Sequence, residues 1–252
     1  MISTTETLRE FLLAFADDEH LMGQQHTEWI GVTPFLEEDL AFASIGQDEL
    51  GHAVMLYELV CDLDGVEATD AVIDELAFAR TAQSYRSSAF TEYGTTDWAE
   101  ALVRHWVYDI VEDLRWSLVA DSSYIPLANV TVRAQREESY HRRHAQALMD
   151  SLIATAARSE LEQALETVLV QLPSLLAPVA NEDVLVAEGI IESPLATKHR
   201  DVLDQVVATF DTDRIVSEAP IPTDGRTTRS ENFAPLMARM REVLDLDPSA
   251  VW

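Results

Sequence analysis

GQDELGHAVMLYELV, residues 46–60, decides how the chain is read. Without its acidic and imidazole side chains it would be an apolar helix. In helical steps, Ile45, Glu49, His52, Leu56 and Leu59 fall on one face. A carboxylate and an imidazole therefore sit one turn apart in an apolar stripe. The spacing returns in REESYHRRHA, residues 136–145, where Glu138 shares a face with Leu127, Ala134, His141, Ala145, Leu148 and Leu152. The count alone says little, because chance gives about 0.7 copies of Glu-x-x-His in such a chain. The apolar setting says more, since an ionised carboxylate buried without a partner is very costly. A cation held between the two motifs would remove that cost.

The totals bound the answer. The chain has 252 residues, 47% of them apolar, which is enough to bury a large core. No apolar run reaches the ~18 residues that a membrane span needs. The opening MISTTETLREFLLAF lacks the basic start of a secretory signal, so a cytoplasmic location is expected. Cys61 is the only cysteine, lies in the apolar stretch LVCDL, and reads as a small buried side chain. Acids outnumber basic residues 45 to 17, a formal charge of −28, and Lys198 is the single lysine. Such self-repulsion is relieved by concentrated salt, which points to a halophilic cytoplasm. It also argues against a nucleic-acid partner, which requires a basic face.

Glycine and proline cluster at breaks: GVTP (31–34), DLDGVEATD (62–70), TEYGTTD (91–97), SSYIP (122–126) and EAPIPTDGRTTRSEN (218–232). Between them the pattern predicts helices over 5–30, 35–62, 70–88, 97–120, 127–157, 159–176, 181–188, 195–209 and 231–245. Pro34 reads as a first helical residue. No alternating strand pattern appears, so the class is all-α. Four segments exceed twenty residues and pair as two hairpins, 5–30 with 35–62 and 97–120 with 127–157. A single domain over 1–252 is expected, with a four-helix bundle over about 5–157 and additional C-terminal helices over about 159–252.

The first helix of each hairpin supplies a further acid. Glu19 shares a face with Leu8, Leu12, Phe15, Met22 and His26, and precedes Glu49 by 30 residues. Asp109 shares one with Trp98, Leu102, Trp106, Asp113 and Trp116, and precedes Glu138 by 29 residues. Turns near 33 and 124 bring each pair level. The candidate metal ligands are therefore Glu19, Glu49, His52, Asp109, Glu138 and His141. Ferritin-like di-iron and di-manganese proteins carry this pattern, a Glu from each of two helices and Glu-x-x-His from each of the other two. Asp109 departs from it by one methylene. Two metals would be bridged by Glu49 and Glu138, with Glu19 and Asp109 terminal. Oxygen and imidazole donors suit iron, with manganese as the alternative. His26, His105 and His144 read as core, surface or supporting residues. Asp48, Glu137, Asp113 and Glu112 read as solvated or supporting acids, with Glu112 the substitute for Asp109. Trp29, Trp98, Trp106 and Trp116 read as helix packing.

EWIGVTPFLEEDLAFASIGQDELGHA (28–53) resembles the C subunit of phenylacetyl-CoA epoxidase, of the phenylacetate degradation pathway. So does the tail 226–252, with Glu231, Pro235, Leu236, Met237, Met240 and Trp252. HWVYDIVEDL (105–114) and REESYHRRH (136–144) fall between them in the expected order. The resemblance implies a ferritin-like subunit of a multicomponent oxygenase that converts phenylacetyl-CoA to a ring 1,2-epoxide. Its implied partners are a related A subunit with the di-iron site, small assembly subunits, and a reductase that supplies electrons from NADPH. The family's C subunits are regarded as structural and have degenerate metal positions. Here all six positions keep ligand-capable residues and match the A subunit's pattern, including its aspartate on the third helix.

Two functions compete. One is a di-iron monooxygenase component; the other is a non-catalytic subunit that stabilises the catalytic A subunit. A ferritin-like cage for iron storage or peroxide removal is a third, disfavoured by the extra C-terminal helices. No motif reads the CoA moiety; Arg142 and Arg143, beside the site helix, are the candidates for its phosphates. No catalytic residue beyond the metal ligands is assigned.

Overall fold

The computed structural model describes residues 3–211 and 219–247. Its four long helices are α1 (Thr4–Thr27), α2 (Leu36–Asp64), α5 (Trp98–Leu118) and α6 (Ile125–Ile153). Helix α1 packs along α2, α5 along α6, and α2 meets α6. The chain is an all-α, ferritin-like bundle, with no strand among the described residues.

Local chemistry sets the ends of these helices. The Ser3 hydroxyl caps α1 by accepting from Glu6 N at 3.2 Å, and Asp97 caps α5 by accepting from Glu100 N at 2.9 Å. Gly65 ends α2 in the left-handed region, φ 68°. Pro126 occupies the first turn of α6, where a missing N–H costs nothing. Pro34 does not play that part: Phe35 is the N-cap and α2 starts at Leu36. Asp39 organises this turn, its carboxylate accepting from Gly31 N, Thr33 N and the Thr33 hydroxyl at 2.9, 3.3 and 2.6 Å.

The segment 70–88 departs from the expected single helix. It breaks into α3 (Asp70–Asp74), a π turn over Glu75–Ala79 and a 3₁₀ turn over Ala82–Ser84, followed by α4 (Ala89–Glu92). Tertiary contacts override helix propensity here. Arg80 pairs with the buried Asp17 and donates to the carbonyls of Leu76 and Ser84 at 2.6 and 3.0 Å. Tyr85 is buried and donates to the Ala77 carbonyl at 2.9 Å.

After the bundle come α7 (Arg158–Leu175), α8 (Asp183–Ala187), α9 (His199–Phe210), α10 (Phe233–Met240) and α11 (Glu242–Leu246). The expected helix 231–245 is thus two, and the tail residue Trp252 lies outside the described residues. Leu165, Val168, Leu172, Val202, Val206 and Phe210 bury the face of α5 that carries Trp106 and Val107. This cover explains why α5 is buried on nearly every side.

Helices α1 and α2 come unusually close one turn from Glu19 and Glu49. A Cβ at Gly23 would lie 2.9 Å from the Gly46 carbonyl oxygen, and one at Gly46 would lie 3.0 Å from that of Gly23. Only two glycines allow this backbone contact.

Candidate metal centre

The bundle brings all six sequence-selected side chains into the interior, each at most 2% exposed. Ligand atoms of Glu19, His52 and Glu138 lie within 4.8 Å of one another, and so do those of Glu49, Asp109 and His141. The grouping crosses the hairpins. Each Glu-x-x-His glutamate joins the group that contains the other motif's histidine.

The two histidines are oriented reciprocally. His52 Nε2 lies 2.9 Å from Glu137 Oε2, and His141 Nε2 lies 3.3 Å from Asp48 Oδ2. Glu137 and Asp48 directly precede Glu138 and Glu49 on the opposing helices. An ionised carboxylate only accepts, so each Nε2 carries the proton. Each Nδ1 then faces the centre. His52 Nδ1 is 3.4 Å from Glu19 and 3.5 Å from Glu138, and His141 Nδ1 is 3.4 Å from Glu138. Such outward partners fix the tautomer of ligating imidazoles. Asp48 and Glu137 are thus supporting acids, one of the two roles read from sequence.

Glu112 is fully buried against Glu19, with Arg115 Nε 3.3 Å away. It is not a solvated acid; Asp113 is the exposed one of the pair. Asp109 and Glu112, three apart, project from one face, and the centre holds both rather than one in place of the other. The Glu19–Glu112 contact joins two carboxylates and is a hydrogen bond only when one is protonated.

The electrostatics follow from burial. Burial, with Glu138 nearby, pushes the Glu19 carboxyl up to about 8. Burial also drives Glu49 and Glu112 well above the ordinary range, with Glu19 adding to both. Burial acts in the same sense on Glu138, but His141 and His52 outweigh it and hold that carboxylate low. Without a cation, protons must balance this set.

The donor atoms fit such a cation. Both oxygens of Glu19, Asp109 and Glu112, Oε1 of Glu138, and Nδ1 of His52 and His141 are buried without a hydrogen-bond partner. Each orphaned group costs about 1–3 kcal/mol, so a structure that keeps them together needs something between them. Carboxylate oxygens with imidazole nitrogens suit iron or manganese.

Other candidates fall elsewhere. The expected core role fits His26, 2.6 Å from Glu49, and His105, 3.1 Å from Asp109. His144 pairs with Glu38 at 3.0 Å. Trp116 packs on Phe15 and His52 at 4.3 and 5.5 Å between ring centroids, and Trp98 packs on Phe42 at 5.0 Å. Arg142 donates to Gln205 at 2.7 Å, while Arg143 donates to the Ser139 carbonyl and covers the Tyr140 ring. A 380 Å³ cavity beside α1 gathers Arg9, Arg80 and Arg86, but these pair with Asp64, Asp17 and Glu10.

Sequence reasoning misses the buried acids beside Glu19. Asp18 accepts from Arg115 at 3.1 Å, Arg226 at 2.5 Å, Ser88 N at 2.8 Å and the Thr91 hydroxyl at 2.9 Å. Asp17 accepts from the Tyr57 hydroxyl at 2.7 Å and Arg86 N at 2.6 Å. Their partners lie up to 208 residues away, so no local spacing signals them.

Comparisons with known proteins converge on one family. A family model described as "Phenylacetic acid catabolic protein" matches residues 2–252. The chain is 28% identical over 145 residues to the C subunit of 1,2-phenylacetyl-CoA epoxidase from Escherichia coli (strain K12), covering 58% of this chain and 57% of that protein. It is 25% identical over 135 residues to the A subunit of the same organism's enzyme, covering 54% of this chain and 41% of that protein. The aligned regions span about half the length of these curated relatives, or less.

Proposed function

Because the chain belongs to the family of phenylacetic acid catabolic proteins, we propose that it is one component of a multicomponent phenylacetyl-CoA ring 1,2-epoxidase. It holds a carboxylate-bridged di-iron site in Glu19, Glu49, His52, Asp109, Glu138 and His141. The observation that carries this reading is the convergence of these six buried donors in two groups, with seven of their atoms unpartnered. Bound there, iron would supply dioxygen activation, with electrons arriving from NADPH through a separate reductase.

The chain's own residues prepare the site. Glu137 and Asp48 hold the two imidazoles in one tautomer. Phe15 and Trp116 wall the centre beside His52 and exclude water from it. Arg115, buried between Asp18 and Glu112, keeps a positive charge at the edge of the acid cluster.

The test is reconstitution with the A-type partner and a reductase, followed by phenylacetyl-CoA-dependent NADPH oxidation. Glu19→Ala should abolish turnover owed to this chain while the complex still assembles. A second reading, a structural component that stabilises a catalytic partner, draws on the likeness to the epoxidase's C subunit and on the exposed Ile30, Val32, Phe35, Leu36 and Leu40 at the α1–α2 turn. Under that reading Glu19→Ala lowers stability and leaves turnover of the assembled complex intact.

A further inference from the structure

Beside the six-residue set lies a cluster it does not use. His26 on α1 and His105 on α5 are buried, and their rings meet edge to face at 4.9 Å between centroids. Phe42 walls both rings, at 5.0 and 5.2 Å. An aromatic wall offers no acceptor for a ring N–H. His26 Nε2 and both nitrogens of His105 accordingly have no hydrogen-bond partner. His105 Nδ1 lies 3.1 Å from Asp109 without the alignment of a hydrogen bond. His26 Nδ1 alone has one, to Glu49 Oε2 at 2.6 Å.

We infer that His26, Glu49 and His105 form a separate position for a divalent transition metal, joined to the six-residue centre through the Glu49 carboxylate. One ligand atom from each of the three lies within 4.8 Å of the others. Two imidazoles and one carboxylate are the donor set of open Fe²⁺ and Zn²⁺ sites. The two groups differ in kind. The six-residue set has one imidazole in each triad and a majority of hard oxygens, which suits iron or manganese. The His26–Glu49–His105 set is richer in nitrogen and favours zinc, cobalt or iron over manganese. A carboxylate has two oxygens, so Glu49 can serve both positions at once. In the metal-free protein a proton between His26 and Glu49 takes the cation's place.

The inference does not rest on the di-iron reading, and its test separates the two. Metal-stripped protein would be titrated with Co²⁺, with uptake followed by calorimetry and by the visible bands that cobalt gains from nitrogen donors. Glu138→Gln/His141→Asn, which takes one ligand from each carboxylate group, should still bind cobalt at the histidine position. Adding His26→Asn/His105→Asn should abolish that signal, and this pair alone should lower wild-type uptake by one equivalent. Circular dichroism checks that each variant folds. Zinc K-edge absorption of Glu138→Gln/His141→Asn carrying one Zn²⁺ should count two imidazoles, because only His52 remains in the six-residue set. Unchanged uptake and bands in His26→Asn/His105→Asn, or a single imidazole on zinc, would overturn the inference. If the di-iron reading alone fails, wild type and Glu138→Gln/His141→Asn take up the same single equivalent.

Discussion

Glu137 on α6 reaches across the bundle to His52 on α2, with 2.9 Å between Oε2 and Nε2. Its other oxygen accepts from Arg133 at 2.9 Å, which holds the carboxylate in place. Asp48 makes the corresponding contact with His141, so each half of the centre is oriented by the residue next to the other half's glutamate.

Removing that support should weaken metal binding without touching a ligand. Glu137→Ala is expected to lower Fe²⁺ or Mn²⁺ affinity about 10–100-fold. Competition against a chelator of known affinity measures it. Unchanged affinity would show that His52 is not held through Nε2.

The contact between Gly23 and Gly46 sets how close α1 and α2 lie beside the centre. Gly23→Ala places a methyl 2.9 Å from a backbone oxygen, so the helices must move apart. Overpacking of this kind costs about 1–3 kcal/mol, and urea unfolding in KCl should show it. A neutral or stabilising effect would mean that α1 and α2 separate freely.

Asp18 ties α1 to α5 through Arg115 and to the C-terminal segment through Arg226. Burial alone would raise its pKa, but the two guanidinium groups hold it below the ordinary carboxylate value. Asp18→Ala leaves Arg226 buried without its acid and Arg115 with Glu112 alone, and should destabilise by about 3–5 kcal/mol. Limited proteolysis should then cut near Arg226 first. Loss of less than ~1 kcal/mol would contradict the clamp, because exposed pairs contribute that little.

Tyr85 gives the alkaline prediction. Burial pushes its hydroxyl up to about 12, from an unfolded value of 10.0. Across that window the unfolded chain releases the proton and the folded chain keeps it. Stability therefore falls as pH rises from 10 towards 12. Tyr85→Phe removes this proton and should make that part of the curve less steep, with Tyr57, Tyr93 and Tyr108, also raised by burial, supplying the remainder, as read by unfolding at stepped pH. An identical slope in the variant would contradict the assignment.

The surface charge predicts salt dependence. With a formal charge of −28, moving from roughly 0.1 to 1 M KCl shortens the Debye length from about 10 to 3 Å and should raise the melting temperature. No rise would remove the basis for a halophilic setting.

Much of this architecture is legible because periodicity reports burial. The faces around Glu49/His52 and Glu138/His141 sit on helices long enough for several repeats, so their bounds fall within a few residues of α2 and α6. Glu19 can be levelled with Glu49 because an antiparallel hairpin converts sequence distance into height. The segment 70–88 resists the same treatment: Arg80 and Tyr85 leave the helix for Asp17 and the Ala77 carbonyl, partners that no periodicity reports. Glu112 escapes it because it neighbours Asp113, and only the packing of α5 decides which acid faces in. His26 and His105 meet only in three dimensions, from positions 79 residues apart in the chain.

The most direct test of the central claim is Mössbauer spectroscopy of protein loaded anaerobically with ⁵⁷Fe²⁺ in KCl and then exposed to oxygen, beside Glu138→Gln. The account predicts a spin-coupled iron pair in the wild type and its loss in the variant, because Glu138 Oε1 lies 3.5 Å from His52 Nδ1 and 3.4 Å from His141 Nδ1, one imidazole of each group. Isolated iron alone in the wild type, or the same coupled signal in both, would contradict it.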